Sequence, residues 1–125
     1  MKEQIITKKA PAAIGPYSQA IKWGNLVFVS GQIALNSGTA TIEGDIKEQT
    51  RTVLSNLKNI LEAAGSSMDN VLKITVFLAD INDFAAMNEV YCTFFSQVPP
   101  ARSAFEVANL PKRASVEIEA IAALG

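Results

Sequence analysis

The sequence predicts an α/β fold in which one mixed sheet of about six strands carries two helices on a single face. Three observations carry that expectation. Segments such as "LVFVSGQIAL" and "VLKITVFLAD" alternate their side chains with the period of two that suits strands. Apolar residues switch to steps of three and four over about 45–64, and again in "NDFAAMNEVYCTFF", which is the helical period. With 125 residues, 49% of them hydrophobic, the chain fits one domain over 1–125 and can bury a core without disulfides. The predicted order is β-β-β-α-β-α-β-β.

"EQIITKK" reads as a short edge strand, followed by the turn-rich "APAAIGPYSQ", where Gly15-Pro16 breaks any helix and fixes the approach of Tyr17. "YSQAIKWG" and "LVFVSGQIAL" read as strands joined at Gly24-Asn25, a tight hairpin signal. Strict alternation in the second puts Val27, Val29, Gly31 and Ile33 on one face and Phe28, Ser30 and Gln32 on the other. The first helix follows, with Ile46, Val53, Leu54, Leu57, Ile60, Leu61 and Ala64 on its buried face, Asp45 capping its start and Gly65 its end. "VLKITVFLAD" turns Ile74, Val76 and Leu78 inward. In the second helix Asn82 is the expected cap, and Phe84, Met87, Tyr91 and Phe94 form the apolar stripe. Strands over about 102–108 and 115–123, joined by "NLPKRA", complete the chain.

Two helices cover only one face of such a sheet. The other carries Phe28, Phe77 and Phe105 beside Ser30, Thr75 and two glutamates, a mixture suited to burial against another subunit. A mean hydropathy of +0.20 agrees with a surplus of apolar surface. The longest apolar runs fall well short of the ~20 residues a bilayer span needs, so no membrane association is expected.

Composition also excludes chemistries. The chain has 11 basic and 12 acidic residues and no basic stripe, which argues against nucleic acid as a partner. It has no histidine, which removes Ser-His-Asp and Cys-His systems and leaves no His/Cys metal site. Cys92, the only cysteine, cannot pair within the chain and reads as a buried structural thiol of a reducing compartment. "MKEQIITKK" lacks the apolar region of a signal peptide, and the cytoplasm is the expected location.

The residues that remain for chemistry are few. Arg102 follows Pro99-Pro100 and opens an apolar strand, with two readings: a solvated charge, or a stiffened planar fork for a carboxylate. Glu117 and Glu119 alternate with Val116, Ile118 and Ala120, so they share a face about 6.5–7 Å apart. They are either a solvated face or a pair in which one carboxylate activates water; without histidine, a carboxylate is the natural general base. Tyr17 offers a phenol on a turn, or staples that turn to the sheet. Gly31 marks a bulge or a close backbone approach. Asn88 sits off the apolar stripe, where a solvated residue is expected.

"AIGPYSQAI", "VFVSGQI", "NDFAAMNEVY" and "PPARSAFEVANLPKRASVEIEAIA" together resemble the Rid/YjgF family, the reactive intermediate deaminases, over essentially the whole chain. The resemblance implies a chorismate-mutase-like fold and a homotrimer with an inner barrel and active sites between subunits. It implies hydrolysis of 2-imino or 2-enamino acids to 2-keto acids and ammonia, with no cofactor or metal. By position, Arg102 would hold the substrate carboxylate and Glu117 would position or activate water. Tyr17 and Asn88 would line the pocket, and Gly31 and Ala104 would present backbone to the ligand. Ala104, Phe105 and Arg113 depart from the commonest family pattern, which bears on side-chain preference, and Glu119 gains no role. Two other readings stand beside this one: a non-enzymatic binder of 2-keto acids, and the endoribonuclease or translation-inhibitor activity attached to some members.

Overall fold

The computed structural model describes residues 1–36 and 38–125. The elements are β1 (Glu3–Ile5), β2 (Ala20–Trp23), β3 (Leu26–Gln32), α1 (Ile46–Ala63), β4 (Val71–Leu78), α2 (Phe84–Tyr91), β5 (Ala101–Glu106) and β6 (Val116–Ala123), in the predicted order. The strands form a mixed six-stranded sheet in the spatial order β1-β2-β3-β6-β4-β5. Only β4 and β5 run parallel, because α2 carries the chain back between them; the other neighbours are antiparallel.

Both helices lie on one face. Val53, Leu54, Leu57, Ile60 and Leu61 of α1 are fully buried against Val27, Ile74, Val76, Leu78, Val116 and Ile118 of the sheet. The helical period of one set and the strand period of the other therefore meet in a single apolar layer. Asp45 caps α1 as expected, its carboxylate accepting from the Glu48 amide at 2.9 Å, and Gly65 ends the helix at φ +87°. Gly24 takes φ +57° in the β2–β3 hairpin.

The structure corrects four local expectations. The turn leading into α2 is capped by Asp80, not Asn82: the Asp80 carboxylate accepts from the Asn82 amide at 2.9 Å. Cys92 is exposed rather than buried, because a single 3-10 turn over Cys92–Phe94 follows Tyr91 and rotates the thiol off the apolar stripe. Strand β5 is an open edge with Ser103 and Phe105 exposed, so it is less buried than its apolar residues suggest. Finally, β3 does not alternate strictly. Val29 pairs with Ala120 but Gln32 with Ile118, so one extra residue is accommodated around Ser30 and Gly31. That bulge turns Gln32 into the core and leaves Gly31 on the face away from the helices, beside Glu117.

The uncovered face keeps its predicted aromatic and polar character. Phe28 and Phe105 are 41% and 44% exposed, and Phe77 meets Phe105 edge to face at 5.4 Å. No helix among the described residues is long and apolar enough to cross a membrane.

Candidate active site

Glu117 owes its position to two devices. Buried Gln49 of α1 accepts from the Ser115 amide at 2.9 Å and donates to the Ser115 hydroxyl at 3.2 Å, which pins the entry to β6 two residues upstream. Gly31 supplies the space. A β-carbon there would overlap Glu117 Oε2 and lie 2.9 Å from its carboxyl carbon, so only glycine lets the carboxylate rest on the β3 bulge. Burial pushes the Glu117 carboxyl above the ordinary range, and the neighbouring Glu119 charge adds to the rise. Glu117 thus holds a proton more readily than a solvated glutamate, which suits a group that must both take and return one.

Glu117, Gly31 and Tyr17 line one cavity of about 340 Å³ together with Ile14 and Lys112. Its floor is tied down by Gln19, whose buried amide binds Thr7 and donates to the Pro11 carbonyl at 2.8 Å. The Tyr17 hydroxyl accepts from the Ile14 amide at 3.4 Å, a bond within its own turn rather than to the sheet, and Tyr17 lines the cavity. Lys112 and Arg113 stand consecutively in the left-handed region, at φ 54° and 56°. Non-glycine residues there are strained by about 1–2 kcal/mol each, and the strain sits on the loop that closes the cavity.

Arg102 lies elsewhere. Its register with Ile74 places it on the helix side of β5, whereas Glu117, opposite Phe77, projects from the other face. The guanidinium donates to Asn88 Oδ1 at 2.6 Å and lies over the rings of Phe84 at 5.4 Å and Tyr91 at 4.7 Å. Asn88 is therefore engaged rather than solvated. Among the described residues there are three ion pairs, all made by lysines, and none involves Arg102. Val107 donates its amide to Leu78, so strand alternation points the N–H and C=O of Ala104 off the open edge of β5, beside Arg102.

One chain thus brings Tyr17, Gly31 and Glu117 together, and separately Arg102, Asn88 and Ala104. It does not bring the two groups together. Glu119 is exposed on the Glu117 face and lines a smaller recess with Lys73 and Thr75. Sequence reasoning missed Phe84 and Tyr91 as neighbours of Arg102; their spacing with Asn88 at one face of α2 was the available signal. Among the described residues no group of three or more His, Cys, Asp or Glu side chains converges on a metal site.

Residues 7–124 match the family described as Endoribonuclease L-PSP. The chain belongs to this family, the Rid/YjgF family. It is 59% identical over 123 residues to a RutC family protein of Pyrococcus horikoshii, covering 98% of each chain. It is 48% identical over 126 residues to the mouse protein named 2-iminobutanoate/2-iminopropanoate deaminase, covering 100% of this chain and 93% of the mouse protein. Among solved Rid/YjgF structures, Escherichia coli TdcF with bound serine superposes with a TM-score of 0.94 at 46% identity, covering 98% and 99% of the two chains.

Proposed function

We propose that this Rid/YjgF protein hydrolyses 2-imino and 2-enamino acids, such as 2-aminoacrylate, 2-iminopropanoate and 2-iminobutanoate, to 2-keto acids and ammonia. The observation that carries the reading is a half-buried arginine, held without a carboxylate partner among the described residues, in a chain whose other candidate group is a proton-retaining glutamate. The name of the mouse relative supports the substrate class.

The reaction needs little. An enamine first tautomerises to the imine, whose carbon is already electrophilic. Arg102 grips the substrate carboxylate through two parallel charge-assisted hydrogen bonds. Glu117 takes a proton from water as the oxygen adds to the imine carbon and returns it to nitrogen. It then takes the proton of the new hydroxyl and passes it to nitrogen as the C=O bond forms and the C–N bond breaks, releasing ammonia. Because imines hydrolyse unaided, orientation and proton transfer worth a few kcal/mol suffice, at about 1.4 kcal/mol per tenfold. No metal or cofactor enters these steps.

The two half-sites lie on opposite faces of one sheet, so the reading places the complete site between copies of the chain, in a homotrimer with three such clefts. The aromatic face bearing Phe28 and Phe105 is the surface available for that assembly. Sedimentation of the purified protein at micromolar concentration tests it: a trimer is expected, and a persistent monomer with full activity would refute it. We place the protein in the cytoplasm, where its lone Cys92 stays reduced.

The deciding assay measures ammonia from 2-aminoacrylate generated in situ by a serine dehydratase. Acceleration over the spontaneous rate is expected; the spontaneous rate together with calorimetric binding of 2-ketobutyrate would instead mark a non-enzymatic binder. The family description names an endoribonuclease, but a net charge of −1 and the lack of histidine disfavour RNA chemistry. Within the proposed reaction, Gly31→Ala displaces the Glu117 carboxylate while leaving the backbone in place. Turnover should fall by up to about a hundredfold with little change in melting temperature; undiminished turnover would remove the role of the bulge.

A further inference from the structure

The Arg102 guanidinium is held by three side chains of α2 spaced i, i+4 and i+7: Phe84, Asn88 and Tyr91. Each of them is neutral. Phe84 and Tyr91 offer ring faces, and Asn88 offers an amide oxygen 2.6 Å from Nη1. Burial raises the Tyr91 hydroxyl above its ordinary range despite the nearby guanidinium, so the phenol stays protonated. Tyr91 is only 7% exposed, so its ring is fixed in place beneath the guanidinium.

An acidic partner at any of these positions would hold the arginine more tightly. It would also neutralise it and compete with an incoming anion. A neutral set does the opposite: it fixes the planar fork and leaves its charge unspent. We propose that Phe84, Asn88 and Tyr91 are positioning residues, forming a neutral cage that orients Arg102 for the substrate carboxylate. The assignment rests on the deaminase reading for its ligand. It also revises Asn88, whose side-chain oxygen serves Arg102 rather than the substrate.

Two measurements on the intact protein test the cage and the ligand separately. In nitrogen-15 spectra the Arg102 Nη groups should rotate slowly in the wild type and average rapidly in Asn88→Ala and Phe84→Leu. Free rotation in the wild type would overturn the cage whatever the protein binds. Calorimetry with 2-ketobutyrate should show about tenfold weaker binding in Phe84→Leu, largely recovered in Phe84→Tyr, which keeps a ring face. Asn88→Asp, nearly isosteric, should weaken binding further because a carboxylate now occupies the guanidinium. In turnover assays these variants should raise KM more than they lower kcat. Variants that melt like the wild type yet bind 2-ketobutyrate equally well would overturn the positioning role. If the wild type binds no 2-keto acid, the deaminase reading fails, and the cage is judged on the rotation of Arg102 alone.

Discussion

Arg102→Ala is expected to abolish most of the acceleration of imine hydrolysis while the chain keeps its fold and assembly. In the proposed reaction the guanidinium fork would make two charge-assisted hydrogen bonds to the substrate carboxylate, each contributing about 1.5–3 kcal/mol, so kcat/KM should fall at least about a hundredfold. The fold should hardly notice. Arg102 sits on the open edge of the sheet, makes no ion pair among the described residues, and its neutral neighbours carry no charge that its loss would strand. Binding of 2-ketobutyrate should disappear in parallel with activity. A folded Arg102→Ala protein with wild-type turnover would end the carboxylate-anchor assignment.

Glu117→Gln should separate the two half-sites. It leaves Arg102 untouched, so 2-keto acid binding persists, whereas kcat falls by about a hundredfold or more, the usual contribution of a positioned acid–base group. The pH dependence is specific. Wild-type turnover should rise with pH through the raised pKa of Glu117 as the base ionises, and this acid limb should vanish in Glu117→Gln. Since the Glu119 charge contributes to the rise, Glu119→Gln should stay active with its acid limb moved to lower pH. An inactive Glu119→Gln protein would mean that the wrong glutamate has been assigned.

The same shift bears on stability with a definite sign. A carboxyl whose pKa is raised on folding binds a proton more readily folded than unfolded, so its contribution is favourable in acid and lost as pH rises through the raised value. Glu117→Gln removes that loss. Its melting temperature should therefore match or exceed the wild type at neutral pH, with the gap closing in acid. A catalytically dead but equally stable variant is what a functional carboxylate predicts; a large loss of stability would mark Glu117 as structural.

Much of this arrangement was legible in the residues because it rests on periodicity. The α1 face from Val53 to Leu61 and the inward set of Ile74, Val76 and Leu78 follow from helical and strand spacing alone. What escaped was decided by single-residue offsets. One extra residue at Ser30–Gly31 reverses the faces of β3, and strict alternation carries no sign of it. One tight turn after Tyr91 exposes Cys92. Of the site, Arg102 and the pair Glu117 and Glu119 stood out as charges placed in apolar strands, and only the family resemblance separated Glu117 from its neighbour. Their partners did not, since the contact between Arg102 and Asn88 joins a helix to a strand edge 14 residues further on. Alternation alone puts the glutamates on the uncovered face with Phe77; what the pairing register adds is that Arg102 follows Ile74 to the opposite, helix-covered face.

That last division has a genetic consequence under the proposed assembly. An allele lacking Arg102 and an allele lacking Glu117 are each silent alone, since every cleft in their own assemblies is missing the same half. Expressed in one cell, the two products mix, and some clefts receive an intact arginine from one polypeptide and an intact glutamate from the other. The two defects complement within a single gene. Inheritance of the activity then follows the pairing of subunits rather than the soundness of any one copy.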